Sequence, residues 1–153
     1  MAVLEVGINL GMKKLVEIMY YSSADNVLDP ALRARFLNGL EEFINEVYGD
    51  EITVISLSSY QIVCYCEMIR LPGKEPSDTQ PLLSFAIIEK GTDHNFVKQH
   101  LEEILTNFLN RYTPDDIFTK SPKYFKDFEP RINEILEDLR LNTEDRIKAI
   151  FRN

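Results

Sequence analysis

The chain has 153 residues, 44% of them hydrophobic and 27% charged, and its 17 Lys+Arg against 25 Asp+Glu leave a formal net charge of −8. A chain of this length buries roughly 70% of the surface its unfolded form exposes, so residues 1–153 read as one domain that can build a full core without metal or disulfide. The acidic balance argues against nucleic acid and anionic membrane as direct partners, because affinity for phosphate comes from clustered Lys and Arg, and apolar runs such as Leu82 to Ile88 fall far short of the roughly 20 residues that cross a bilayer.

The first ten residues carry Glu5 and no basic residue before the apolar stretch, the wrong charge order for a secretory signal, so a cytoplasmic location is expected. The next expectation is a strand pair, Val3 to Asn9 and Lys14 to Tyr21, broken at Gly11, although the second run also reads as a short helix. Asp29-Pro30 then starts a helix, with Asp as N-cap and Pro at the first helical position, running to about Tyr48 and stopping at Gly49. Its apolar stripe is Leu32, Phe36, Leu40, Phe43, Ile44 and Val47, and its polar face is Arg33, Arg35, Asn38, Glu41, Glu42 and Glu46. Gly39 in mid-helix marks a close approach to a strand.

Three β-rich runs follow, Glu51 to Leu57, Gln61 to Ile69 and Leu82 to Lys90, separated by Ser58-Ser59-Tyr60 and by a Pro/Gly loop over 71–80. The last two runs are apolar on both faces, which implies a sheet covered on both sides. A helix opens at Thr92-Asp93 with Val97, Leu101, Ile104, Leu105, Phe108 and Tyr112 on one side. Thr113-Pro114 caps a further short helix, Ser121-Pro122 breaks the chain, and another helix runs from Pro130 to about Leu141. Asn142-Thr143-Glu144-Asp145 caps a terminal helical extension over 142–153. The expected fold class is α+β, a mixed antiparallel sheet of five strands with element order β-β-α-β-β-β-α-α and helices on both faces.

Catalytic patterns are scarce. His94 and His100 are six apart at a helix start and do not form the i, i+4 pair of a helical zinc site, so they read as surface or boundary side chains. Cys64 and Cys66, as an i, i+2 pair on a strand, stand roughly 7 Å apart on one face, at or beyond disulfide reach, and read as reduced core residues. The carboxylate pairs Glu41/Glu42, Glu102/Glu103, Asp115/Asp116 and Glu144/Asp145 are sequence neighbours, which diverge by about 100° on a helix and cannot grip one atom together. No G-x-x-x-x-G-K-[ST], G-x-G-x-x-G or G-x-S-x-G occurs, so nucleotide hydrolysis and hydrolase chemistry lack their parts. No catalytic residue, metal ligand or cofactor is therefore assigned. Tyr20, Tyr21, Tyr48, Tyr60 and Tyr124 lie near element ends, where tyrosines cover a core rim with the hydroxyl in water.

The run Phe36-Leu-Asn-Gly-Leu-Glu-Glu-Phe43, then Ile52-Thr-Val-Ile-Ser-Leu57 with Tyr60, then Leu82 to Lys90, then Leu101 through Phe108-Leu-Asn-Arg-Tyr112, together with the loop Tyr124-Phe125-Lys-Asp-Phe128, is similar to archaeal longin-like proteins. The element order is the layout of that fold, which shares a sandwich plan with profilin and roadblock proteins. The resemblance covers roughly Lys14 to Leu139 and consists of core and turn patterns. It implies a non-enzymatic interaction module: an adaptor that binds a small GTPase or pairs with another longin or roadblock chain or a second copy, recruited to membranes through a partner. The absence of a long heptad helix and of an anchor sets the chain apart from trafficking SNAREs. In a longin-like sheet the strand Glu51 to Leu57 lies at an edge beside the first helix, and the implied interface is Arg33, Leu37, Glu41, Ile44 and Tyr48 on that helix with Thr53, Ile55 and Leu57 on the strand. The rival expectation is a PAS- or profilin-like sensory module that encloses a small ligand near Cys64, Tyr65 or Cys66.

Overall fold

The computed structural model describes residues 3–20, 35, 38–39, 42, 51–57, 60–71, 73, 79–91 and 93–137, the strand 51–57 through its backbone. Its strands are β1 (Val3–Leu10), β2 (Lys13–Met19), β3 (Glu51–Leu57), β4 (Tyr60–Ile69) and β5 (Gln80–Glu89). Every pairing is antiparallel, and the sheet is open, in the order β2-β1-β5-β4-β3. Of the two readings of the run from Lys14, the strand is the one adopted, and it ends at Met19. Gly11 makes the β1–β2 turn possible: its φ of +58° lies where a Cβ would be strained, and its N–H donates to the Pro81 carbonyl at 2.8 Å.

The helical part begins with α1 (His94–Arg111), capped by the Asp93 carboxylate, which accepts from the Asn95 N–H at 3.0 Å. The short α2 (Pro114–Thr119) opens on a capping box: Thr113 Oγ1 accepts from the Asp116 N–H, and the Asp116 carboxylate accepts from the Thr113 N–H. A 3-10 helix, η1 (Pro122–Phe128), follows and passes directly into the helical residues 129–137. Pro130 falls in the first turn of that last helix, where a missing N–H costs nothing.

Strand alternation divides the side chains into two layers. On one face Val6, Ile8, Val63, Tyr65, Leu82, Ala86 and Ile88 meet Val97, Leu101, Ile104, Leu105 and Phe108 of α1. Ser84 points to the same side, and its hydroxyl donates to the Leu101 carbonyl at 3.0 Å, so the single polar group of β5 in this layer is satisfied. Phe108 and Tyr112 then stack against Phe125 and Phe128, with ring centroids 4.9–6.1 Å apart. The phrase ending α1 and the Phe-containing segment, expected as a loop but wound into η1, are thus two halves of one aromatic cluster.

The other face is dry as well. Glu5, Gly7 and Asn9 of β1, Leu83, Phe85 and Ile87 of β5, and Ile62, Cys64 and Cys66 of β4 are all buried. In register they form rows such as Gly7–Phe85–Cys64 and Asn9–Leu83–Cys66. Burial on both faces explains why β1, β4 and β5 read as nearly continuous apolar runs. Between β2 and β3, Arg35, Asn38, Gly39 and Glu42 are helical, with Arg35, Asn38 and Glu42 exposed, in keeping with the polar face expected there. The remaining residues of that predicted helix, the loop over 74–78, Leu139 and the terminal extension 142–153 lie outside the described residues.

Candidate functional site

Of the eight residues assigned to an interface, Arg33, Leu37, Glu41, Ile44 and Tyr48 lie outside the described residues. Thr53, Ile55 and Leu57 belong to β3, which ends the sheet and is paired with β4. Their register partners are Cys64, Ile62 and Tyr60. Two of these partners, Cys64 and Ile62, belong to the row that continues through β5 to β1 on the buried second face. As the last strand of the sheet, β3 carries the outward backbone N–H and C=O groups of any end strand.

Among the described residues the scattered titratable groups do not converge. His94 is exposed at the start of α1, whereas His100, expected at the surface or its boundary, is buried. Its Nδ1 lies 2.8 Å from the Phe96 carbonyl and its ring packs edge-on against Phe96 at 4.9 Å, because the α1 face that carries Val97 and Leu101 also brings His100 inward. Glu102 and Glu103 are exposed, and Asp116 is engaged in the capping box. Among the described residues no group of three or more His, Cys, Asp or Glu is placed to hold a metal ion, and no helix is long and apolar enough to cross a membrane.

Cys64 and Cys66 are buried thiols joined by no disulfide, and burial pushes the Cys64 thiol well above its ordinary value, with Cys66 raising it further. A thiol held protonated in this way is a poor nucleophile. Tyr65 lies between them in sequence but on the α1 side of the sheet, so the three side chains cannot line one chamber. Neither of the two described clefts includes any of them.

The larger cleft, of about 430 Å3, lies between β2 and η1. Its floor is Leu15, Val16 and Pro122, and Lys14, Lys123 and Lys126 stand along it. A β-bulge creates the floor: Ile8 pairs with Val16 and Asn9 with Lys14, which leaves Leu15 as the extra residue and turns two consecutive apolar side chains inward. Lys13 Nζ donates to the Lys120 carbonyl at 3.0 Å and ties the two walls together. Lys14 pairs with Glu17 at 3.2 Å, and Glu129 closes one end. The smaller cleft, of about 240 Å3, is crossed by Tyr20, whose hydroxyl donates to Asn133 Oδ1 at 2.6 Å. Of the rim tyrosines, Tyr20 and Tyr124 are exposed and Tyr60 is half-buried. The lysine cleft carried no signal in the sequence, because its two walls are more than 100 positions apart and the net charge points the other way.

A scan against models of protein families finds no match to this chain, and no curated protein matches it.

Proposed function

We propose that the chain is a longin-like, non-enzymatic adaptor that binds a small GTPase or pairs with a longin or roadblock chain or a second copy of itself. In this reading five strands and helices on both faces make a longin sandwich, and the helix that contains Arg35, Asn38, Gly39 and Glu42 covers the second face. The observation that carries it is the sheet order β2-β1-β5-β4-β3, a leading hairpin beside the last strand of a meander, with β3 left at the margin. Arg33, Leu37, Glu41, Ile44 and Tyr48, next to the β3 positions Thr53, Ile55 and Leu57, form the contact surface, and strand β3 offers backbone groups to the partner. The protein acts in the cytoplasm and reaches membranes through that partner.

The test is a pull-down with the tagged full chain from its native lysate under GDP and GTP-analogue loading, followed by affinity measurements with the captured protein. Recovery of a small GTPase, or of a longin or roadblock chain, whose affinity falls by about tenfold or more with Arg33→Glu and Glu41→Arg supports the reading. Recovery of neither, or an affinity unchanged by both substitutions, overturns it.

A further inference from the structure

We infer that the cleft between β2 and η1 is a second docking surface, independent of the β3 margin, and that its occupant is a short acidic segment of a partner protein with an apolar anchor. The cleft joins three features of a peptide site. It is concave, its volume of about 430 Å3 lies within the range of roughly 300–1,000 Å3 typical of ligand sites, and the exposed Pro122 ring with the aliphatic stems of Lys14, Lys123 and Lys126 offers apolar surface above the buried Leu15 and Val16. Its charge is the reverse of the molecule's. Lys14, Lys123 and Lys126 outnumber Glu17 and Glu129 along the lining, and Lys13 and Lys120 adjoin it, on a chain of net charge −8.

The geometry fixes the charge rather than leaving it to roam. Lys13 is held against the Lys120 carbonyl, Lys14 against Glu17, and Lys120 Nζ lies 5.4 Å from the centre of the Tyr124 ring. Lys123 and Lys126 are three apart on a 3-10 helix, where side chains at that spacing eclipse, so they stand in one row along the wall. Both are exposed. A row of cations over an apolar floor is complementary to carboxylates that flank aliphatic side chains.

Other occupants fit less well. Two copies of the chain each carry net charge −8 and present the same lysines, so self-association through this cleft sets like against like. An anionic bilayer is flat, and the cationic groups here line a concavity. Strand addition to β2 is opposed by the bulge and by Lys13 and Lys14 at its start, features that blunt an edge. The segment is therefore held by side chains.

The probe is a fluorescein-labelled peptide, Glu-Glu-Ile-Val-Glu-Glu, titrated with the full chain and followed by anisotropy, with Lys-Lys-Ile-Val-Lys-Lys as control. Binding of the acidic peptide alone, weakened by about tenfold or more in Lys123→Glu/Lys126→Glu and by rising salt, is the expected result. Amide shifts on saturation should fall on residues 13–17 and 122–129 and leave β3 unmoved. Because both lysines are exposed, the variant keeps its fold, which circular dichroism checks. A second variant, Pro122→Ser, should weaken binding with the lysines intact. Equal binding of both peptides, no binding, an affinity indifferent to the lysines, self-association in place of peptide binding, or capture only by phosphatidylserine vesicles overturns the proposal.

Discussion

The Phe85 ring of β5 lies directly across Gly7 of β1, so close that a Cβ at Gly7 would stand 2.6 Å from Cε1 and Cζ of the ring and 3.1 Å from the Val16 carbonyl oxygen. The two residues are register partners on the buried second face. A glycine inside a strand ordinarily weakens it, and alanine would recover about 0.5–1 kcal/mol. Here the ring occupies the space, which reverses the sign. Gly7→Ala should destabilise the protein by about 1–3 kcal/mol, the usual range for overpacking. Urea denaturation should then show part of the loss recovered in Gly7→Ala/Phe85→Leu, whereas independent sites would give additive losses.

Asn9 is buried on the same face, and among the described residues its Oδ1 has no hydrogen-bond partner. A carboxylate there would bring charge to a site whose oxygen already lacks a donor. Asn9→Asp is expected to cost at least about 2 kcal/mol at pH 7, and because burial raises the carboxyl above its ordinary value of about 3.9, that loss should shrink as pH falls from 7 to about 4, the native carboxyl taking up its proton first. Asn9→Leu, by contrast, removes the orphaned acceptor and should stay within about 1.5 kcal/mol of the parent. Chemical denaturation at the two pH values measures both.

Thr113 and Asp116 hold the start of α2 by a reciprocal pair of hydrogen bonds at 3.1 and 3.4 Å. Thr113→Ala removes the shorter one and should cost about 1 kcal/mol. Hydrogen exchange should show the loss concentrated at the amides of residues 115–117, ahead of the sheet, since the cap serves that helix alone.

Cys64 and Tyr112 both titrate above their ordinary values, chiefly because burial disfavours the anion. The stability tied to Cys64 is fully present below the ordinary thiol value of 9.0. Above it the unfolded chain releases a proton that the native chain keeps, so stability falls as pH rises, by up to about 1.4 kcal/mol per pH unit for each such group. Tyr112 adds to the fall from about pH 10. Denaturation midpoints at pH 8 and pH 10 should show the decline, and Cys64→Ala should reduce its slope. Iodoacetamide at pH 8 should label Cys64 only after unfolding.

Local chemistry made much of the architecture legible. Gly11 announced its turn, Asp93 and Thr113 their helix starts, and the apolar spacing from Val97 to Phe108 its buried face. These are decisions made within a few residues, by caps, by φ and by side-chain period. His100 was harder to place, because a polar residue next to Leu101 on a helix is assigned to the boundary by its type and was carried inward by the packing of its neighbours. The β-bulge at Leu15 was invisible for a related reason: a single extra residue has no meaning until the partner strand supplies the count. The candidate site followed the same division. The i, i+2 spacing of Cys64 and Cys66 foretold two unbridged thiols on one face, and the same alternation removed Tyr65 from their company.

By itself the sequence determined the strands β1, β3, β4 and β5, the Gly11 turn, the starts of α1 and α2 and the two-sided burial of the central strands, since each depends on contacts between near neighbours in the chain. Only the tertiary structure decided that β1 would lie beside β5, that Gly7 would be roofed by Phe85, and that lysines of β2 would face lysines of η1 across a cleft. Those relationships join residues some 80 to 110 positions apart, where packing complementarity chooses among many pairings of equal local merit.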